Sequence, residues 1–159
     1  MKHSQKGFTL VEVIITLLVI ALAVAISIPS VSRGTAVLSL RTTARDILNT
    51  LRYARQKAVT EQMGMQVTVD QENQMVRVTN DLGEGNRAYI LPDNVMIRNV
   101  ALGGIETSEG ASTVHFLPNG SSDNVEILLE SKNGSYVKII SDPITGGACI
   151  RPVPEGEAP

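Results

Sequence analysis

The hydrophobic pattern passes through three regimes, and each predicts a different element. From Phe8 to Ile28, 17 of 21 residues are apolar, broken only by Thr9, Glu12, Thr16 and Ser27. A run that long without a polar face predicts a helix surrounded by an apolar medium. At ~1.5 Å per residue it matches the ~30 Å hydrocarbon layer of a bilayer. A secretory signal would carry a core of about 7–15 apolar residues and then a small-residue cleavage site. Residues 8–28 therefore read as a membrane helix that is retained. Lys2 and Lys6 precede it, so the positive-inside rule puts residues 1–7 in the cytoplasm and everything after Ile28 on the far side.

After Pro29 the apolar positions recur at steps of three and four: Val37, Leu40, Ala44, Ile47, Leu48, Leu51, Ala54 and Ala58. Arg41, Arg45, Arg52 and Arg55 occupy the positions between. This amphipathic spacing predicts a stalk helix over 29–63 that lays one stripe on a core. Unbroken from Phe8, the helix would run roughly 80 Å. Pro29 is the place for a kink, and Gly64 suits a C-cap.

Beyond Met65 the period falls to two. Met65–Asp70 and Met75–Thr79 alternate around a polar QENQ turn and predict a hairpin. Strands are also expected at AYIL, VMIRNV, Thr113–Pro118, Val125–Ser131 and Ser135–Ser141, the last two joined by Asn133-Gly134. Leu102–Ser112 reads as a Gly-rich surface loop, and Pro118-Asn119-Gly120 as a turn. The expected class is α+β: a long N-terminal helix packed on an antiparallel β head over 64–151, with a mobile tail over 152–159.

Charge sharpens the division. Residues 29–61 hold six basic and two acidic side chains, whereas residues 62–159 hold six basic and thirteen acidic ones. An acidic head beside a basic stalk argues against nucleic acid as a partner, and the arginines read as a solvated face, as contacts to acids of a neighbouring subunit, or as neighbours of anionic lipid. With aromatics at 3%, no stacking platform for bases is present.

Cys149 is the single cysteine, so no intrachain disulfide, Cys-rich zinc site or CxxC pair exists; it is expected as a buried small hydrophobe. His3 and His115 are the only imidazoles, without a metal or triad spacing around them. Alternation sets His115 on the face opposite Val114 and Phe116, as a surface histidine. No enzyme, cofactor or metal is expected. Glu106 and Glu109 serve as loop solubilisers. The anomalous residue is Glu12: an unpaired charge inside an apolar helix costs on the order of 3 kcal/mol at a bilayer centre. It requires either the interface or a cationic neighbour.

The segment KGFTLVEVIITLLVIALAVAISIP resembles the class III signal of type IV pilins and type II secretion pseudopilins. That resemblance implies cleavage after Gly7 by a prepilin peptidase and methylation of the new amine on Phe8. It further implies that the Glu12 carboxylate pairs with the first residue's amine on an adjacent subunit during assembly, and that Pro29 kinks the helix. The run from His115 to Gly147 resembles the C-terminal part of the general secretion pathway protein H and FimT family, through Phe116, Pro118, Gly120, Pro143 and Gly146.

Two departures narrow the implication. DNA-uptake members of that family carry an Arg-rich C-terminal motif, where this chain has Gly146-Gly147-Ala148-Cys149 and then only Arg151. Major pseudopilins bind calcium near the C-terminus, yet Asp123 and Asp142 lack the DxDxDG spacing. The implied role is a minor pseudopilin of a type II secretion system, at or near the tip of a periplasmic pseudopilus. Its implied partners are the prepilin peptidase, other major and minor pseudopilins, the inner-membrane assembly platform and the lipid bilayer. The alternative is a minor type IV pilin in pilus assembly or DNA uptake.

Overall fold

The computed structural model describes residues 8–85 and 87–153, with backbone alone over 25–34. Its one helix, α1 (Leu10–Glu61), is shared between two compact units, Met1–Thr35 and Ala36–Pro159.

In the first unit, every described side chain from Phe8 to Val24 is exposed. Among the described residues no helix is long and apolar enough to cross a membrane. The described side chains of α1 end at Val24 on this side, and Leu10–Val24 spans roughly 22 Å at ~1.5 Å per residue, short of a ~30 Å layer. The expected leader over 1–7 and the side chains at 25–28 and Pro29 lie outside the described residues, and with them the expected cleavage at Gly7 and the kink.

In the second unit, Ala36, Leu40, Ala44, Ile47, Leu48, Leu51, Ala54 and Ala58 form the buried stripe of α1. The predicted spacing is recovered, with Ala36 in place of Val37. Ala44, Ala54 and Ala58 keep the stripe shallow, so the larger Val, Ile and Phe116 side chains of the sheets fill the core against it.

The helix ends in a Schellman turn. Gln62 takes φ 51°, and the Met63 N–H donates to the Ala58 carbonyl at 3.2 Å. The left-handed residue is thus Gln62 and not Gly64. Gly64 serves a different need, since a Cβ there would collide with the Asp81 carboxylate.

Among the described residues the antiparallel head comprises nine strands in two sheets. One sheet comprises β1 (Met65–Asp70), β2 (Met75–Asn80), β3 (Arg87–Ile90) and β6 (Ala111–Phe116), in the order β3-β2-β1-β6. The other comprises β4 (Val95–Leu102), β5 (Ile105–Thr107), β7 (Val125–Ser131), β8 (Tyr136–Ser141) and β9 (Ala148–Pro152), in the order β5-β4-β7-β8-β9. The expected β1–β2 and β7–β8 hairpins form, with Val67 opposite Val78 and Ile127 opposite Ile139. The expected loop at Leu102–Ser112 instead contains β5, which turns back on β4 through Gly103 and Gly104, both at positive φ. The Pro- and Gly-rich end supplies β9, an edge strand paired to β8.

Gln74 ties the two sheets together. It closes the β1–β2 turn, its Oε1 accepts the Ile97 N–H at 2.6 Å, and its carbonyl accepts the Leu91 N–H at 2.9 Å. It does so at φ 49°. Gln74→Ala removes the Ile97 acceptor and leaves a non-glycine residue in the left-handed region that Gln74 already occupies. It is expected to lower stability by roughly 2 kcal/mol in urea denaturation. Gln74→Gly, which relieves the left-handed backbone and removes the same bond, is expected to recover about half of that loss; a Gln74→Ala variant as stable as the parent would mean that the inter-sheet bond contributes nothing.

Candidate assembly site

In the first unit the chemistry is concentrated at the start of α1. Thr9 is the N-cap: its hydroxyl accepts the Glu12 N–H at 3.3 Å and its carbonyl accepts the same group at 3.1 Å. Glu12 therefore occupies the first turn, where the exposed N–H groups favour a carboxylate. Thr16 turns its hydroxyl back onto the Glu12 and Val13 carbonyls, at 3.0 and 2.9 Å, and so presents no free donor to lipid or to a neighbouring helix. The ion pairs among the described residues are Lys57–Glu61, Arg98–Glu130, His115–Asp123 and Lys138–Glu126. Glu12 belongs to none of them. Phe8, the other described member of the expected processing site, is 82% exposed.

In the second unit the functional candidates gather at the Glu61 end of α1. Arg55 donates from Nε to the Gly120 carbonyl at 3.1 Å, and Arg52 donates from Nη2 to the Ala148 carbonyl at 3.3 Å. Between them lies a groove of about 520 Å³, lined by Arg52, Arg55, Gln56, Val59 and Gly146 among others. Gly146 takes φ 60°, and a Cβ on it would collide with the Gly120 carbonyl and come within 2.8 Å of Arg55 Nε. Two loops, 117–122 and 142–147, thus converge on one guanidinium. They are joined by the Ser122 N–H, which donates to the Pro143 carbonyl at 3.1 Å.

This convergence explains the spacing of Phe116, Pro118, Gly120, Pro143 and Gly146. Phe116 is fully buried, the two glycines take positive φ, and the Pro143 carbonyl receives the cross-loop bond. Asp142 holds the second loop by accepting the Ile144 and Thr145 N–H groups at 2.9 and 3.2 Å. Those two donors hold its carboxyl below the ordinary value of 3.8.

The remaining expected residues separate. His115 is exposed as predicted, and its Nδ1 lies 2.9 Å from Asp123 Oδ2. Asp123 and Asp142 serve separate turns, and among the described residues no cluster of three or more His, Cys, Asp or Glu side chains forms. Cys149 is exposed, against the expectation of burial: on β9 the alternation turns the neighbouring Ala148 and Ile150 toward the core and Cys149 away from it. Arg55 was noted in the sequence only as one of several stalk arginines. Its role as a clamp depends on loops more than sixty residues away.

Comparison with known proteins agrees with this layout. A family described as the prokaryotic N-terminal methylation motif matches residues 2–28, and one described as type II transport protein GspH matches residues 43–144. Two solved structures of the minor pseudopilin EpsH from the type II secretion system of Vibrio cholerae are similar in fold. One has a TM-score of 0.59 at 13% identity, covering 76% of this chain and 99% of that one. The other has a TM-score of 0.62 at 13% identity, covering 75% and 97%. No individual curated protein matches the sequence significantly.

Two outcomes test the clamp. Gly146→Ala is expected to destabilise the head by ~2 kcal/mol or more, because strain and collision add. Gly134→Ala, at φ 72° with open space around it, is expected to cost only about 1 kcal/mol; denaturant titration of the pair separates the two terms. Because the Asp142 pKa is lowered on folding, its contribution is fully present above the unfolded value of 3.8 and is lost as pH falls through the folded one. Asp142→Asn keeps an acceptor oxygen for both N–H groups, so its denaturation midpoint is expected to fall less than that of the parent on acidification below that value.

Proposed function

The chain belongs to the type II transport protein GspH family, and from that membership we propose that it is a minor pseudopilin of a type II protein secretion system, placed at or near the tip of the periplasmic pseudopilus. One observation carries the reading: a single chain joins an N-terminal methylation motif over residues 2–28 to the GspH match over residues 43–144. The first supplies a means of entering a helical filament, and the second a head that decorates it.

The proposed sequence of events follows from the residues. Prepilin peptidase cuts between Gly7 and Phe8 and methylates the Phe8 amine, which stays cationic near neutral pH. Before assembly, residues 8–28 are held in the inner membrane as a single pass, N-terminus inward. The support for this is the basic leader and the exposed, mostly apolar side chains of α1 from Leu10 to Val24. The assembly platform then lifts the subunit among other pseudopilins. There Glu12 meets the methylated amine of a neighbour, and this pairing offsets the cost of leaving a carboxylate in an apolar bundle. The role is structural, its chemistry being recognition between helices.

Three measurements test this. Gly7→Leu is expected to leave a precursor that retains its first seven residues on intact-mass analysis, whereas the parent loses them and gains a methyl group. Glu12→Val is expected to insert in the membrane normally yet enter isolated filaments at least tenfold less, the scale of an unpaired intramembrane charge. Undiminished incorporation would remove the pairing role. Secretion of substrate enzymes should fail in a deletion strain while DNA uptake continues; the reverse would favour a type IV pilus.

A further inference from the structure

Resting on the filament role just given, we propose that the solvent face of α1 bearing Arg41, Arg45 and Arg52, together with the groove beyond it, docks an acidic segment of a different pseudopilin in the filament. The three arginines fall within about 40° of one another around the helix and span roughly 16 Å along it. All three are exposed. No acid of the described chain forms an ion pair with any of them, although exposed acids are plentiful on the head. Of the three, Arg52 donates to the Ala148 carbonyl and so uses one of its five donors.

The surface has the composition of a protein interface. Leu38 and Val59, 64% and 41% exposed, lie on the same stripe at either end of the arginines, so apolar anchors bracket a cationic centre. At its Glu61 end the stripe opens into the groove of about 520 Å³ between Arg52, Arg55 and the Gly146–Ala148 backbone, beside Ile144, which is 85% exposed. A row of guanidinium forks leading into a recess with apolar flanks suits carboxylates carried on a folded or helical segment. Duplex DNA would need a broad basic surface, and the net −7 of residues 62–159 beside the groove opposes it.

The test uses the full chain in cells carrying the whole secretion system. A photo-cross-linking residue is placed at Gln56, which lines the groove, and in a separate strain at Leu17 on the apolar part of α1. The Gln56 probe is expected to join one other pseudopilin, through a peptide containing Asp or Glu. The adduct is expected to fall at least fivefold in R41E/R45E/R52E and to persist in R41K/R45K/R52K. An adduct with a second copy of this chain, with lipid or with nucleic acid, no adduct, or an adduct indifferent to charge reversal overturns the docking surface. The Leu17 probe separates this from the filament role. If it still joins other pseudopilins, the role stands and only the surface falls; if it joins none, the role falls too. A thermal melt of each variant in detergent shows that the charge-reversed head remains folded.

Discussion

Apolar surface that a chain cannot cover with itself has to be covered by something else, and the described stretch of α1 from Leu10 to Val24 is built mostly of such surface. From Leu10 to Val24 the helix presents Leu, Val and Ile on every side, all exposed. No fold of so short a segment could bury them internally. Only lipid or other helices can, and these two covers are of nearly equal apolarity. The hydrophobic effect therefore does not choose between membrane and filament. In the assembly proposed above, Glu12 is the one group in that stretch whose energy would differ sharply between the two, because its neutralisation would require a specific cation at a specific height.

The second unit meets the opposite requirement. Its helical stripe from Ala36 to Ala58 is sealed by two sheets, and the buried core is made almost wholly of aliphatic side chains with Phe116 at the loop end. Polar ties then fix the register of helix on sheets. Ser39 donates to Asn94 at one end, Tyr89 donates to Asp46 in the middle, and Arg55 clamps Gly120 at the other end. Arg87 lies 4.8 Å above the Tyr53 ring, holding the edge strand β3 to the same helix.

Much of this architecture is legible in the chain, for reasons that differ by element. The β1–β2 and β7–β8 hairpins are strictly alternating segments around polar turns, and a half-buried strand leaves that trace in any sequence. The stalk stripe is equally plain because one helical face packs and the other does not. What escaped were features without a periodic trace. β5 has three exposed residues, Ile105, Glu106 and Thr107, and exists only because Gly103 and Gly104 turn it onto β4. β9 lies among glycines and prolines and is recruited by an open edge of β8, which also explains the exposed Cys149. The division into two sheets follows from a choice of neighbour, β6 beside β1, that no local pattern records. At the candidate site, Glu12 stands out in the sequence because a lone acid in an apolar run is anomalous. Arg55 does not, because one arginine in an amphipathic helix resembles the next until distant loops arrive.

The same logic separates two kinds of arginine on one helix. Arg55 is half-buried and spends its Nε on a backbone carbonyl, with Gly146 kept free of a side chain so that the guanidinium can lie there; it belongs to the fold. Arg41 and Arg45 stand exposed with no partner, and Arg52 engages one carbonyl and leaves its remaining donors free. Isolated surface cations cost little and need no explanation. Three on one narrow stripe repel one another, however, and this head has acids enough to neutralise them had the strands been arranged otherwise. A fold that leaves three arginines without an acid on one narrow stripe sets a positive potential on that face, where it acts on neighbours across a distance set by the ~8–10 Å screening length.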